Sequence, residues 1–191
     1  MPTVLSAGPP ITTTGHCHFL GGVARAGVRG VRAAVQEHAE RGVDVIKIMA
    51  TSGQLTSGSQ QHLAQFSAEE MRAAVDEAHR CGLPITAHAH GTSGIENAVA
   101  AGVDGLEHAS FWSRDGVDDP GELIERIAGQ RIVVGATVGL VPVPGVMGPP
   151  EVLRRIPAIT ANNRRMQQAG VRVVAGTDAG IAPVKPHDVL R

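Results

Sequence analysis

The chain has 191 residues, of which 42 % are hydrophobic and 18 % are charged, and its formal net charge is -1. This composition is sufficient to bury one core, and the balanced charge offers no basic surface to nucleic acid or a membrane. Aromatic residues make up only 2 % of the chain, with one Trp and no Tyr, which excludes stacking on bases as the main mode of recognition. We therefore expect a single domain that binds neither nucleic acid nor a membrane.

The sequence shows no feature of an exported or membrane-spanning protein. Its two cysteines, Cys17 and Cys81, form no Cys-x-x-Cys pair, which disfavours a disulfide framework and favours a reducing compartment. The first residues have neither the basic nor the long apolar stretch of a signal peptide, and no apolar run reaches the roughly 18 residues of a membrane span. These observations predict a cytoplasmic location.

One unit repeats along the chain: a short apolar run, a polar loop and an amphipathic helix pattern. The predicted strands are 3–6, 44–50, 83–88, 103–108, 131–137 and 171–175. The predicted helices are 28–41, 67–81, 92–101, 121–128 and 151–169, and a glycine follows each of them. Apolar strands that alternate with helices imply a parallel sheet with helices on its outside, so the fold class is α/β.

Helix starts are marked by hydroxyl side chains. Ser67 and Glu70 have the spacing of a capping box, in which each side chain bonds the other residue's backbone amide. Thr92 or Ser93 is the expected cap of the following helix. The segment 9–15, rich in Pro, Thr and Gly, is expected to be a loop.

Two architectures fit this pattern, a doubly wound sheet and a barrel of βα units. No Gly-x-Gly-x-x-Gly follows a strand, which weakens the dinucleotide-binding version. Four polar side chains lie in or just after predicted strands, namely Lys47, His88, His108 and Asp178. In a βα barrel the carboxyl ends of the strands carry the catalytic residues, and this favours the barrel.

Each of these four residues also has an ordinary structural interpretation. A lone histidine at a strand end is usually structural, a lone aspartate after a strand usually forms a turn, and a lysine in a strand can lie exposed at an edge. Four of them at the same end of successive strands favour a shared site. Two imidazoles with carboxylate-type ligands are what a zinc-type ion binds.

Four segments together resemble the metal-dependent amidohydrolase superfamily, in particular its imidazolonepropionase-like and prolidase-like branch. They are 45–53 (VIKIMATSG), 86–91 (TAHAHG), 106–109 (LEHA) and 175–180 (AGTDAG). Their order and spacing resemble strands four, five, six and eight of that family's (β/α)8 barrel. The resemblance implies a TIM-type barrel and hydrolysis of an amide C–N bond in a small substrate, such as a cyclic amide, an N-acyl amino acid or a dipeptide.

The resemblance also implies roles for the four residues. Lys47 would be carboxylated to a carbamate that bridges divalent metal ions, with zinc expected and one or two ions bound. His88 and His108 would hold one ion. Asp178 would bind the other ion and act as the catalytic base that takes a proton from water.

The chain departs from the family pattern near its start. His16-Cys17-His18 looks like the strand-one metal motif, but His18 lies only 29 residues before Lys47. Three βα units do not fit into that length, because one βαβ unit takes roughly 30 residues. We therefore expect His16 and His18 to be loop residues, and the chain 1–191 to be one incomplete barrel of about six parallel strands, strands three to eight, with strands one and two missing.

An incomplete barrel leaves open strand edges. The alternative to an active hydrolase is therefore an inactive fragment, or a subunit of a split enzyme that needs a partner. A homo-oligomer or a partner chain would then cover the edges.

The other histidines are weaker candidates. His90 is a candidate for a substrate contact or a supporting role, because it follows His88 by two residues. His62 is expected in a solvated loop, while His38 and His79 are expected on helix surfaces. No role is assigned to His187, and Trp112 is expected either to line the pocket or to cover the core.

Overall fold

The computed structural model describes residues 3–13, 22–53, 59–138, 150–176 and 178. These residues form seven strands and five helices. The strands are β1 (Ile11–Thr12), β2 (Val23–Ala24), β3 (Ile46–Met49), β4 (Ile85–Gly91), β5 (Gly105–Trp112), β6 (Val133–Ala136) and β7 (Val173–Ala175). The helices are α1 (Gly27–Glu40), α2 (Ala68–Arg80), α3 (Thr92–Ala101), α4 (Glu122–Gly129) and α5 (Pro150–Gln168).

All seven strands belong to one parallel sheet with the order β2-β1-β3-β4-β5-β6-β7. From β3 to β7 the spatial order follows the chain order, and each step is made through a helix. In a doubly wound sheet the order of the strands reverses part-way across the sheet, whereas the strands of a barrel follow one another in chain order. The predicted α/β class and its succession of parallel strands are confirmed.

The first predicted strand is wrong. Residues 3–6 are exposed and belong to no strand, with Val4 83 % and Leu5 68 % exposed. The strand instead lies in the segment expected to be a loop, where the fully buried Ile11 pairs with Ile48 of β3. Burial between two neighbouring strands, and not local propensity, selects this position.

The two faces of the sheet have different roles. Ile46, Ile48, Ile85 and Leu106 have no exposed surface and pack with the helices in one continuous core. Alternation along the strands places Lys47, Thr86, His88 and Glu107 on the opposite face, with Lys47 in register with Thr86 and His88 in register with Glu107. Polar side chains of neighbouring strands are thereby gathered on one face.

The predicted capping box at the start of α2 is confirmed. The Ser67 hydroxyl accepts from the Glu70 amide, and the Glu70 carboxylate accepts from the Ser67 amide. The expected side-chain cap of α3 is wrong, because Gly91 occupies the cap position and makes no side-chain hydrogen bond. The two hydroxyls expected there bind loops instead: Thr92 donates to Asp118, and Ser93 donates to the His62 carbonyl.

His38 is not the surface residue expected from its helix. It is fully buried, with its two ring nitrogens 2.7 Å from the carbonyl oxygens of Ala34 and Pro9. It therefore attaches α1 to the segment that leads into β1. His79 is about half exposed and pairs with Asp104, as expected for a surface histidine.

Glu77 joins α2 to α1 through a buried carboxylate. Only 2 % of its side chain is exposed, and it accepts hydrogen bonds from Arg80, Gln36 and Arg32. The bonds from Arg80 and Gln36 outweigh the effect of burial and lower the pKa of Glu77 from 4.5 to about 2. The ionised carboxylate is therefore part of the packing between the two helices.

We expect Glu77→Gln to lower the free energy of unfolding at neutral pH by about 1–3 kcal/mol, because Arg80, Arg32 and Gln36 lose a buried ionised acceptor. A lowered carboxyl pKa contributes stability above pH 4.5 that is lost as the pH falls towards 2. Denaturant unfolding between these pH values should therefore show a smaller pH dependence in Glu77→Gln than in the wild type. Glu69→Gln, the same change at an exposed position of α2, is the control; equal behaviour of the two variants would contradict the assignment.

Candidate metal centre

Three histidines meet on the polar face of the sheet. His88 and His90 lie on β4 and His108 lies on β5, and their ligand nitrogens are all within 4.8 Å of one another. The ring centroids are 4.4–4.7 Å apart. His88 and His90 share a face because residues two apart on a strand point the same way. We call these three residues the histidine cluster.

His108 reaches the cluster through an irregularity of β5. It is in register with Ala89, so regular alternation would direct its side chain to the helix-covered face. The register between β4 and β5 shifts after this pair, and His108 and Ala109 have φ values of 73° and 44°. This left-handed backbone, uncommon for residues other than glycine, turns the imidazole of His108 towards His88.

A chain of hydrogen bonds crosses the ends of four strands. Because a carbonyl can only accept, Nε2–H of His88 donates to the Ser52 carbonyl at 3.2 Å. Nδ1 of the neutral His88 ring then accepts from Nε2 of His108 at 3.0 Å. Nδ1 of His108 is 2.6 Å from the hydroxyl of Thr137, which immediately follows β6. In each ring, the partner of one nitrogen thus determines which of the two nitrogens carries the proton.

The surroundings of His88 keep its ring neutral. Burial lowers its pKa well below the usual value, and the nearby charges of His90 and Lys47 lower it further, against the opposing effect of the Ser52 carbonyl. A neutral imidazole has a lone pair available for a metal ion. Nδ1 of His88 therefore faces the cluster without a proton, which is the state that a metal ligand requires.

The donor set fits a divalent ion of the zinc type. Two imidazole nitrogens on a tetrahedral ion, at bond lengths of about 2.0–2.1 Å, are about 3.3 Å apart. Nδ1 of His88 and Nε2 of His108 are 3.0 Å apart and face each other in a buried setting. The cluster could therefore hold a metal ion once the His88–His108 hydrogen bond opens and the proton of His108 is on Nδ1.

The other two predicted ligands are placed differently. Lys47 is half-buried on β3, on the same face of the sheet, and close enough to influence the pKa of His88. Asp178 follows β7, is exposed with a φ of 51°, and is not one of the three grouped residues. His16, Cys17, His18 and His187 lie outside the described residues.

Residues 3–189 match the sequence profile of the Amidohydrolase family. The chain belongs to the amidohydrolase family. None of the helices in the described ranges combines the length and apolar character needed to cross a membrane.

Several known proteins are similar to this chain. Ochratoxinase from Aspergillus niger is 44 % identical over 85 residues, which are 44 % of this chain and 18 % of that protein. An uncharacterised protein of Mycobacterium tuberculosis is 29 % identical over 159 residues, covering 78 % of this chain and 40 % of its own length.

Solved structures show the same relation. The A. niger ochratoxinase structure has a TM-score of 0.77 at 28 % identity and covers 93 % of this chain and 46 % of its own. A Xaa-Pro dipeptidase with bound methionine also has a TM-score of 0.77 at 28 % identity, covering 94 % of this chain and 48 % of its own. The fold is therefore part of an amidohydrolase TIM-type barrel, and the chain spans about half the length of these relatives or less.

Within this amidohydrolase fold, His90 belongs to the group of potential metal ligands, although the sequence suggested only a substrate contact or a supporting role. Its Nδ1 is 3.0 Å from the Ser110 hydroxyl, and its ring stacks on His108 with centroids 4.4 Å apart. The His-x-His spacing on one strand was the available signal, since it places both rings on one face.

Trp112 covers the cluster from the end of β5. Its ring lies 5.3 Å from that of His90, and the guanidinium of Arg155 lies 4.7 Å from the indole centroid. Arg155 is itself held by the carbonyl oxygens of Gly116 and Arg114. Trp112 is therefore a buried residue, 6 % exposed, fixed between the histidine cluster and α5.

The loop before α2 packs against the end of β4, next to His90 in the chain. His62 packs so tightly on Gly91 that a Cβ there would lie 2.5 Å from its carbonyl carbon. Its Nε2 is buried, which differs from the solvated ring expected from the sequence. Only glycine at position 91 allows this approach.

Proposed function

We propose that this chain carries the metal-binding residues of a hydrolase that cleaves amide C–N bonds in small substrates. Family membership supports hydrolysis of such bonds. The observation that carries the proposal is the buried pair of nitrogens, His88 Nδ1 and His108 Nε2, which face each other at 3.0 Å. Two buried imidazole nitrogens this close together, on neighbouring strands, are a suitable pair of ligands for one ion.

The proposed ligands are Lys47, His88, His108 and Asp178. Lys47 would act as a carbamate, because an unmodified ammonium repels a cation while the carbamate supplies an anionic oxygen. Its place on the same sheet face as His88 supports this role. When bound, one or two divalent ions, zinc foremost, would lower the pKa of water and polarise the carbonyl of the substrate.

Asp178 is the proposed base of the reaction. Its position after β7 leaves the carboxylate exposed, and thus accessible to water and substrate. The carboxylate would take a proton from water as the water oxygen bonds to the carbonyl carbon. As the C–N bond breaks, the same proton would pass to the leaving nitrogen.

The proposed substrates are a cyclic amide, an N-acyl amino acid or a dipeptide. The Xaa-Pro dipeptidase among the similar structures supports the last of these, since its name specifies a dipeptide. The same fold carries many pockets, so the substrate class rests on this similarity.

The described sheet has β2 at one edge and β7 at the other, and a TIM-type barrel needs eight strands to close. The proposal therefore treats the chain as one incomplete barrel domain. The second candidate function, favoured by these open edges, is that of a subunit in a split hydrolase whose partner completes the barrel. An inactive fragment is the remaining outcome of the activity test below.

We expect the chain to bind zinc and His108→Ala to lose most of that affinity, because one of two facing ligands is removed. Calorimetric titration of apo protein with zinc, followed by elemental analysis after dialysis, measures this. His79→Ala, at an exposed histidine outside the cluster, is the matched control and should bind like the wild type. Equal zinc affinity in the wild type and His108→Ala would overturn the metal assignment.

We expect Lys47→Ala to bind zinc more weakly and to recover part of the lost affinity when acetate or propionate is added. A small carboxylate can occupy the space of the missing side chain and supply the same kind of oxygen as a carbamate. Zinc titrations with and without the acid test this. If Lys47→Ala binds zinc as tightly as the wild type, Lys47 has another role.

We expect little amidase activity from the chain alone, and more when a segment supplying the remaining strands is co-expressed. Ligands at strand ends depend on barrel closure, and a displacement of about 1 Å can cost on the order of a hundredfold in rate. In the active form, Asp178→Asn should abolish turnover of dipeptide and N-acyl amino acid panels while much of the zinc remains bound. Full activity of the isolated chain would show that barrel completion is unnecessary.

A further inference from the structure

Thr137 contacts the histidine cluster without belonging to it. It immediately follows β6, and its hydroxyl oxygen is 2.6 Å from Nδ1 of His108. The other ring nitrogen of His108, Nε2, is the one that faces His88. Thr137 therefore contacts the imidazole on the side opposite to the proposed metal position.

Gly176, which immediately follows β7, lies beside the methyl group of Thr137. The Gly176 amide donates to the Ala136 carbonyl at 2.8 Å, which fixes the two chain segments side by side. A Cβ at Gly176 would come within 3.0 Å of the Thr137 methyl group, so glycine leaves the space that this methyl occupies. A β-branched side chain such as that of Thr137 has few χ1 rotamers. The position of its methyl group therefore also determines the direction of its hydroxyl.

A hydroxyl is suited to both states of His108. Nε2 of His108 donates to the neutral His88 ring, and in a neutral His108 ring Nδ1 then accepts from the Thr137 hydroxyl. To bind an ion through Nε2, the His108 ring has to carry its proton on Nδ1, which then needs an acceptor. The Thr137 oxygen can accept a hydrogen bond from that N–H after its own hydrogen rotates away, whereas a methyl group cannot.

We infer that Thr137 is a positioning residue that orients His108 and holds its proton on Nδ1 when Nε2 binds the ion. This inference rests on the proposed metal function. Partners of this kind typically change metal affinity about 10- to 100-fold when they are removed. As a positioning residue, Thr137 would act on the metal site through the His108 ring, which its hydroxyl contacts at 2.6 Å.

The test compares the zinc affinity of hydroxyl-bearing and hydroxyl-free variants of the 191-residue chain. Thr137→Val keeps the shape and should lose about 10- to 100-fold in affinity, while Thr137→Ser should stay within about threefold of the wild type. Thr137→Ala and Thr137→Ser differ only by the hydroxyl and should differ by at least about tenfold. Thr86→Val is the matched control, because it removes a hydroxyl from the same sheet face where the partner is Glu107.

Ring ¹⁵N shifts of labelled histidine provide a second readout that a merely structural role would not change. In zinc-loaded wild type and Thr137→Ser, we expect His108 to carry its proton on Nδ1, and in Thr137→Val we expect a mixture of ring states. Unchanged zinc affinity in Thr137→Val overturns the inference. If Thr137→Val does not fold, equal affinities of the Ala and Ser variants overturn it instead.

Failure of this inference is distinguishable from failure of the proposed function. A chain in which His108→Ala loses zinc but Thr137→Val does not has a metal site without the positioning role. A chain in which His108→Ala keeps its zinc affinity has neither.

Discussion

The candidate site depends on one departure from regular β-structure, the left-handed backbone at His108 and Ala109. Without it, the His108 side chain would point to the helix-covered face, where its register partner Ala89 is fully buried. Such a backbone costs of order 1–3 kcal/mol per residue and persists only when its surroundings stabilise it. Here the surroundings are the complete burial of Ala109 and Phe111 and the hydrogen bonds of the His108 ring. Strain of this kind is concentrated at functional sites.

The strand order β3-β4-β5-β6 places the turned His108 side chain beside the other members of the candidate site. Ser52, His88, His108 and Thr137 belong to the ends of β3, β4, β5 and β6, and the sheet places these strands side by side. Their hydrogen bonds form one chain across the polar face, so that both ring nitrogens of His88 and of His108 have a partner. The proposed function follows from the residues that meet there.

Much of this organisation was predictable from the sequence. Five strands, β3 to β7, and all five helices were located by periodicity, because an amphipathic helix and a buried strand each carry their own pattern. The Ser67 capping box is equally local, since its members are three residues apart. Lys47, His88 and His108 were singled out because polar residues in apolar strands are unusual, and the structure gathers them on one face of the sheet.

Only the tertiary structure decided the rest, because the decisive contacts join residues far apart in the chain. Burial of Ile11 against β3 made a strand where Pro and Thr suggested a loop. Thr137 meets His108 across 29 positions, and no local sequence pattern indicates a hydroxyl that can pair with either tautomer of a histidine ring. The turn of His108 towards His88 likewise arises from a register shift between two strands. Sequence thus determined the elements, the family resemblance and the identity of the polar residues, whereas the directions of their side chains were set by long-range packing that no local periodicity encodes.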